Sequence, residues 1–266
     1  MELHHLVEGE GAPLLLIQGM SGTHVTWGDP FLDALHARDL QTIRYDHRGT
    51  GNSPRVHEPF TIAELADDAA ALLDELGLDS AHVLGISMGG MVAQELALRH
   101  PQRIRTLALG CTYCGGPGSA LSGEDVVQRL GEAMMSGDRE RALEVAYEVN
   151  LSPRFREDAS RYEVFHAMAT TLPVAVNVIM LQMQAIAGHD TSARLHEIAA
   201  PTLVIHGTDD EMLPVRNGEL IASLVPGARL EVLDGVGHMF WWEEPERSAE
   251  LVAENVSAAV AARDGA

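Results

Sequence analysis

The chain predicts an α/β protein: a mostly parallel sheet with helices on both faces and an all-helical insertion. Three observations carry that prediction. Six short apolar segments bounded by Gly, Pro or Asp read as strands, several with the unbroken apolar character of parallel strands buried on both faces. Helical periodicities lie between them, giving the strand–helix alternation of a layered α/β sheet. One long stretch, residues 115–195, carries helical patterns and no clear strand.

The first strand covers residues 14–18, Leu-Leu-Leu-Ile-Gln, and ends at Gly19. The second covers 42–45. A helix is expected over 61–76, where Ile62, Leu65, Ala69, Leu72, Leu73 and Leu76 recur at helical spacing. Thr61 and Glu64 form a capping-box pattern at its start, and Gly77 sits where the chain turns out of it. Strand 82–86 runs into helix 88–99, which His100-Pro101 closes, and strand 106–109 follows. Gly115-Gly116-Pro117-Gly118-Ser119 then opens the insertion with turn-forming residues. Its helices are expected over 124–135, 139–149, 158–168 and 174–187. Alternation resumes at Pro201 with strands 202–206 and 229–233, and helix 246–262 ends the chain. The expected organisation is one α/β core, residues 1–114 and 196–266, interrupted by a helical cap, residues 115–195.

Composition narrows the chemistry. Of 266 residues 46% are hydrophobic, and mean hydropathy is near zero, enough for a sizeable core. Asp and Glu number 39 against 18 basic residues, a formal net charge of −21. All 18 basic residues are Arg. Without Lys there is no Schiff base, no lysine-anchored cofactor, no P-loop lysine and no Ser–Lys dyad. The acidic balance argues against nucleic acid and against anionic membrane surfaces as partners. No run reaches the roughly 18–20 apolar residues that span a bilayer. Met1-Glu2-Leu3-His4-His5-Leu6 has neither the basic start nor the apolar run of a signal peptide, so a soluble cytoplasmic protein is expected.

The chemistry concentrates in Gly85-Ile86-Ser87-Met88-Gly89, a G-x-S-x-G. The bare pattern is weak, but here it follows an expected strand and opens an expected helix, the context that gives it meaning. A strand-to-helix turn this sharp strains the Ser backbone and requires small residues two positions either side. It also projects Oγ above the sheet beside the backbone N–H groups of a helix N-terminus. The plain alternative is a Gly-rich turn without catalytic duty. A serine hydroxyl needs a base, and the base an orienting acid. Asp209 and Asp210 end strand 202–206, and His238 follows strand 229–233 after Gly235-Val236-Gly237. Both sites lie at C-terminal strand ends, where open α/β sheets bind ligands, so Ser87, an Asp and His238 can meet at one sheet edge.

With these motifs the chain resembles the α/β-hydrolase superfamily, in the branch of small cap-bearing serine esterases and lactonases. It is similar to 3-oxoadipate enol-lactonases and polyketide methyl esterases. The resemblance rests on Leu16-Ile17-Gln18-Gly19-Met20, on residues 44–53 (RYDHRGTGNS), on the Ser87 elbow, on His206-Gly207-Thr208-Asp209-Asp210 with Pro214, and on Gly235-Val236-Gly237-His238. It covers nearly the whole chain outside the insertion and implies the α/β-hydrolase fold. The family's G-x-x-D-x-x-x-P pattern fits Gly207, Asp210 and Pro214, which favours Asp210 as the acid, with Asp209 as the alternative. The resemblance further implies an oxyanion hole built from the backbone N–H groups of Met20 and Met88. Where the family often has His-Gly before that loop, this chain has Gln18-Gly19.

The expected activity is hydrolysis of small or medium apolar carboxylic esters or lactones through an acyl-enzyme, with no cofactor and no metal. An enol-lactonase, a carbon–carbon bond hydrolase and a cofactor-free perhydrolase use nearly the same triad, and a non-turnover receptor could share the scaffold. Epoxide hydrolases and haloalkane dehalogenases need a carboxylate where Ser87 stands. Gly19, Tyr113, Met212 and Met239 are candidate pocket residues. Cys111-Thr112-Tyr113-Cys114 leads into Gly-Gly-Pro rather than a helix and has no second pair, so strand-end wall residues are expected rather than a redox or zinc site. His47 and Arg48 are expected to brace their loop, His4-His5 to be surface, and His206 to pack at a strand end. Met134, Met135, Met168, Met180 and Met183 are expected to pack in the insertion, and Met239-Phe240-Trp241-Trp242 against the terminal helix. The acidic excess favours neutral substrates, unless Arg129, Arg154 or Arg161 reaches into the pocket.

Overall fold

A computed structural model describes residues 1–264. Its strands are β1 (His5–Glu8), β2 (Ala12–Ile17), β3 (Leu40–Tyr45), β4 (Ala81–Ile86), β5 (Ile104–Gly110), β6 (Thr202–Gly207) and β7 (Arg229–Leu233). They form one sheet in the order β1-β3-β2-β4-β5-β6-β7, parallel except for β1, which runs antiparallel to β3. Helices α1 (Asp29–His36), α2 (Ile62–Glu75) and α3 (Met88–Arg99) belong to the first half of the fold. Between β5 and β6 lie α4 (Glu124–Met135), α5 (Arg139–Asn150), α6 (Pro153–Arg156), α7 (Ser160–Thr171) and α8 (Val176–Ala187), and no strand. Helices α9 (Arg216–Leu224), α10 (Phe240–Glu243) and α11 (Pro245–Asp264) complete the chain.

The sheet separates two apolar layers, and strand alternation decides which residue serves which. In β2, Leu15 and Ile17 pack with residues of α2 and α3, while Leu14 and Leu16 face the layer holding α1 and α11. All four are essentially unexposed, each worth about 1.5–3 kcal/mol of burial. The capping box of α2 forms as expected, with the Glu64 N–H donating to Thr61 Oγ1 at 3.2 Å and the Thr61 N–H to Glu64 at 2.8 Å.

Several elements depart from the sequence reading. Strand β1 was not expected: its His-Leu-Val-Glu is half-buried to exposed, and it is held by pairing along β3 from His5↔Tyr45 to Glu8↔Thr42. His4 and His5 are therefore half-buried rather than surface, and the His4 N–H donates to Ser53 Oγ at 2.9 Å. Helices α1 and α9 were not expected either, being only eight and nine residues long, yet each has an apolar face that buries Phe31, Leu32 and Leu35 of α1 and Ile221 of α9. The methionines of the insertion are the clearest reversal. Met134 and Met135 are exposed because the α4–α5 pair needs only the small cluster of Val126, Ala133, Val145 and Val149, and Met180 and Met183 are exposed because α8 buries Val178, Gln182 and Ala185 instead. Met239-Phe240-Trp241-Trp242 packs inward as expected, with Phe240 and Trp241 buried. No single helix among the described residues is long and apolar enough to cross a membrane.

Candidate active site

Ser87 links β4 to α3 with φ 53° and ψ −123°, a strained conformation for a residue with a side chain. Two close approaches impose it. A Cβ on Gly85 would lie 2.2 Å from the Gly89 carbonyl oxygen, and one on Gly89 2.0 Å from that of Ile17. The Ser87 backbone is pinned from both sides, its N–H donating to Gly110 O at 2.9 Å and its carbonyl accepting from Thr112 Oγ1 at 2.7 Å. The hydroxyl does not cap α3.

The loop after β2 passes directly over this serine: a Cβ on Gly19 would sit 3.6 Å from Ser87 Oγ. Its N–H groups can be accounted for one by one. Gly19 donates to Gln18 Oε1 at 2.8 Å, Ser21 to Gln182 Oε1 at 2.9 Å, and Gly22 to Gly19 O at 3.2 Å. Among the described residues the Met20 N–H has no acceptor, and neither does the N–H of Met88 at the first position of α3. His47 braces the loop from below, its Nε2 meeting Gln18 O at 2.9 Å, while Arg48 holds Asp68 bidentately at 2.6 and 2.7 Å.

At the ends of β6 and β7, Asp210 and His238 are both buried, and His238 Nδ1 lies 2.8 Å from Asp210 Oδ2. His206 Nε2 donates to Leu213 O at 2.7 Å and stands 3.2 Å from the same carboxylate oxygen, more than the strand-end packing expected of it. Asp210 Oδ1 accepts from the N–H groups of Met212 and Leu213 at 2.9 and 2.8 Å. Burial opposes ionisation of Asp210, but the His238 charge and hydrogen bonds from both histidines outweigh it and bring its pKa to about 2. An ionised carboxylate can only accept, so Nδ1 of His238 carries a proton and a neutral ring presents Nε2 as its lone pair. Asp209, by contrast, is exposed, its Oδ1 taking the Thr208 hydroxyl at 3.1 Å.

Cys111, just beyond β5, ties the two halves of the site together. Its Sγ lies within 4.8 Å of both the Asp210 and His238 ligand atoms, and it also meets the backbone of Ser87. Burial first, and the Asp210 charge second, push its thiol pKa well up, which makes it a poor nucleophile and a poor metal ligand. Cys111 thus stands at a strand end on the side of the candidate site, where a wall residue was expected; Cys114 is a separate, buried free thiol. Of the expected pocket residues, Tyr113 and Met239 are buried in the two apolar layers, and the Tyr113 hydroxyl donates to Ile186 O at 3.1 Å. Met212 packs against the α4–α5 cluster, and Met20 against the α2–α3 layer. Two open cavities of about 470 and 490 Å³ lie elsewhere, neither lined by Ser87, Asp210 or His238.

A family model described as the alpha/beta hydrolase fold matches residues 12–245. The chain belongs to the alpha/beta hydrolase family. It is a hydrolase, and its relatives span several substrates. RutD of Azorhizobium caulinodans, provisionally named a carbamate hydrolase, is 31% identical over 252 residues, 94% of this chain and 93% of that protein. The rhodomycin D methylesterase DauP of a Streptomyces strain is 32% identical, with 85% of each chain covered. Among solved structures, the enol-lactonase of Burkholderia xenovorans superimposes with a TM-score of 0.82 at 26% identity, over 96% of each chain.

Proposed function

We propose that this alpha/beta hydrolase cleaves uncharged carboxylic esters or lactones through Ser87, His238 and Asp210. The observation that carries the reading is the strained Ser87 elbow beside two unclaimed N–H groups, those of Met20 and Met88. The esterase and lactonase relatives support it at the level of reaction class. In this reading His238 Nε2 takes the Ser87 proton as Oγ bonds to the substrate carbonyl carbon. The resulting oxyanion accepts hydrogen bonds from the Met20 and Met88 N–H groups, each such donor typically worth about 2.7–4 kcal/mol at the transition state. The imidazolium then protonates the departing alkoxide as the C–O bond breaks. Water, deprotonated by His238, releases the acid and restores Ser87. Asp210 keeps His238 in the Nδ1–H tautomer and stabilises its charged form. Residues 115–195 serve as a cap that excludes water and selects substrate.

A preference for uncharged substrates is favoured by the state of the cap arginines. Arg129 pairs with Glu211 at 2.6 Å, Arg154 with Glu244 at 3.5 Å, and Arg161 with Asp158 at 3.6 Å while lying over the Phe155 ring. Each has a carboxylate partner already, which disfavours the enol-lactonase reading with its carboxylate-bearing substrate. The decisive measurement is p-nitrophenyl butanoate turnover by Ser87→Ala, expected to fall at least about 10⁴-fold. Full activity in that variant would sink the reading, and absence of turnover in the unmodified protein would favour a receptor.

A further inference from the structure

The oxyanion loop is held by the cap as well as by the core. Gln182, in the middle of α8, is fully buried, and its Oε1 accepts the Ser21 N–H at 2.9 Å across 161 residues of sequence. That assignment is forced, because only the oxygen of an amide can accept from an N–H. The other end of the same amide, Nε2, is then a donor, and it is buried with no partner among the described residues. A buried donor left unpaired destabilises the fold, and an apolar side chain of equal length would fill the space without that penalty. The position therefore holds a residue that serves something other than stability. Ser21 itself sits at φ 59°, a left-handed conformation that a serine holds at some strain, immediately after the Met20 N–H. Gln18 occupies the mirror role on the core side, with Oε1 on the Gly19 N–H and Nε2 likewise unpartnered.

From this geometry we infer that Gln182 is a positioning residue for the oxyanion hole: the cap helix α8 fixes Ser21, and through it aims the Met20 N–H at the reacting carbonyl oxygen. The cap thereby completes the anion-stabilising site, and without this contact Ser87 remains present but poorly assisted. The inference rests on the proposed Ser87 chemistry and adds a residue that the G-x-S-x-G, Asp and His motifs do not contain. It also explains why the Met20 N–H remains free, since Gln18 and Gln182 take the N–H groups on either side of it and leave the middle one unclaimed.

The test is Gln182→Met, which keeps side-chain length while removing both acceptor and donor, run beside Val178→Ala. Val178 is the buried α8 residue that packs over Gly49, so its truncation loosens the seat of the helix without touching the loop. For p-nitrophenyl butanoate, Gln182→Met is expected to lower kcat by about 10–100-fold, with KM changed less than about threefold. Its inhibition constant for butylboronic acid, which forms a tetrahedral adduct on an active serine, should rise by the same factor. Its thermal midpoint should stay nearly level, because the loss of the Ser21 N–H acceptor is offset by removal of an amide donor with no partner among the described residues; a purely structural role predicts a marked fall. Val178→Ala should retain kcat. An unchanged kcat and boronate affinity in Gln182→Met would overturn the inference, as would an equal loss of kcat in Val178→Ala. A Ser87→Ala protein that remained active would instead overturn the reading beneath it, so the two failures are distinguishable.

Discussion

Asp210 is the residue on which most of the site's hydrogen bonds converge. Two backbone N–H groups hold one of its oxygens and two histidines face the other, so its carboxylate cannot rotate or find solvent. This arrangement has a cost and a signature. Its folded pKa of about 2 lies below the roughly 3.9 of an unfolded chain, so ionised Asp210 stabilises the fold above about pH 4. That contribution, on the order of 2–3 kcal/mol, should disappear as pH falls from about 4 to about 2. Urea unfolding across that range should show a loss larger by that amount in the native protein than in Asp210→Asn, whose other carboxylates, Asp67, Asp158 and Asp190 among them, still titrate; parallel curves would contradict the assignment. At neutral pH the same substitution should lower kcat for p-nitrophenyl esters about 10³–10⁴-fold, because an amide can hold the wrong histidine tautomer. The elbow of Gly85, Ser87 and Gly89 was legible as a spacing, because its close backbone approaches leave no room for a side chain at either glycine, whereas Asp210 was favoured over Asp209 only through the family pattern. Gln182 was not legible, because an amide in an apolar helix carries no spacing rule and its partner lies 161 residues away.

Uniform burial made several elements directly legible in the sequence, although β7 was legible with only partial burial. Strands β2, β4 and β6 are buried almost throughout, and α2 shows a clean apolar stripe with its own cap, so pattern and structure agree. Strand β1, at the sheet edge, takes its form from β3, which no local pattern records, whereas α1 and α9 have apolar faces too short to stand out beside the longer helices. The junction between α5 and α6 is of the same kind. Glu243, at the end of α10, accepts from the Ser152 N–H at 2.8 Å, the Ser152 hydroxyl at 2.5 Å and the Gly237 N–H at 3.0 Å, while the Met239 N–H donates to Asn150 O at 3.0 Å. The segment bearing His238 is thereby laced to the helical insertion on both sides of the histidine. Burial raises the Glu243 pKa against these three donors, which pull the other way. Glu243→Ala strands the Ser152 and Gly237 donors and should cost about 2–3 kcal/mol in urea unfolding, with Glu243→Gln losing less because it keeps an acceptor oxygen. A loss below about 0.5 kcal/mol in the alanine variant would mean that the lacing adds nothing to stability.

At the scale of the whole molecule the charge of −21 acts on anything approaching the site. Eighteen arginines leave the balance acidic, and the three of the insertion considered as substrate-binding cations are already paired: Arg129 with Glu211, beside Asp210 in sequence, Arg154 with Glu244 and Arg161 with Asp158. An anionic substrate therefore meets a field of its own sign with no free cation among these residues to receive it, whereas a neutral ester is indifferent to that field. The effect is separable from pocket fit by ionic strength, since the Debye length shrinks from about 30 Å at 0.01 M to about 3 Å at 1 M salt. Two p-nitrophenyl esters of matched length, the pentanoate and the glutarate monoester, differ chiefly in one terminal carboxylate. The pentanoate should have the higher kcat/KM at 0.01 M salt, by about tenfold, and should change little on adding salt. The glutarate monoester should gain about 5–10-fold between 0.01 and 0.5 M as its repulsion is screened. A glutarate rate that starts higher and falls with salt would instead require a cation within reach of Ser87, and would turn the substrate reading towards carboxylate-bearing lactones.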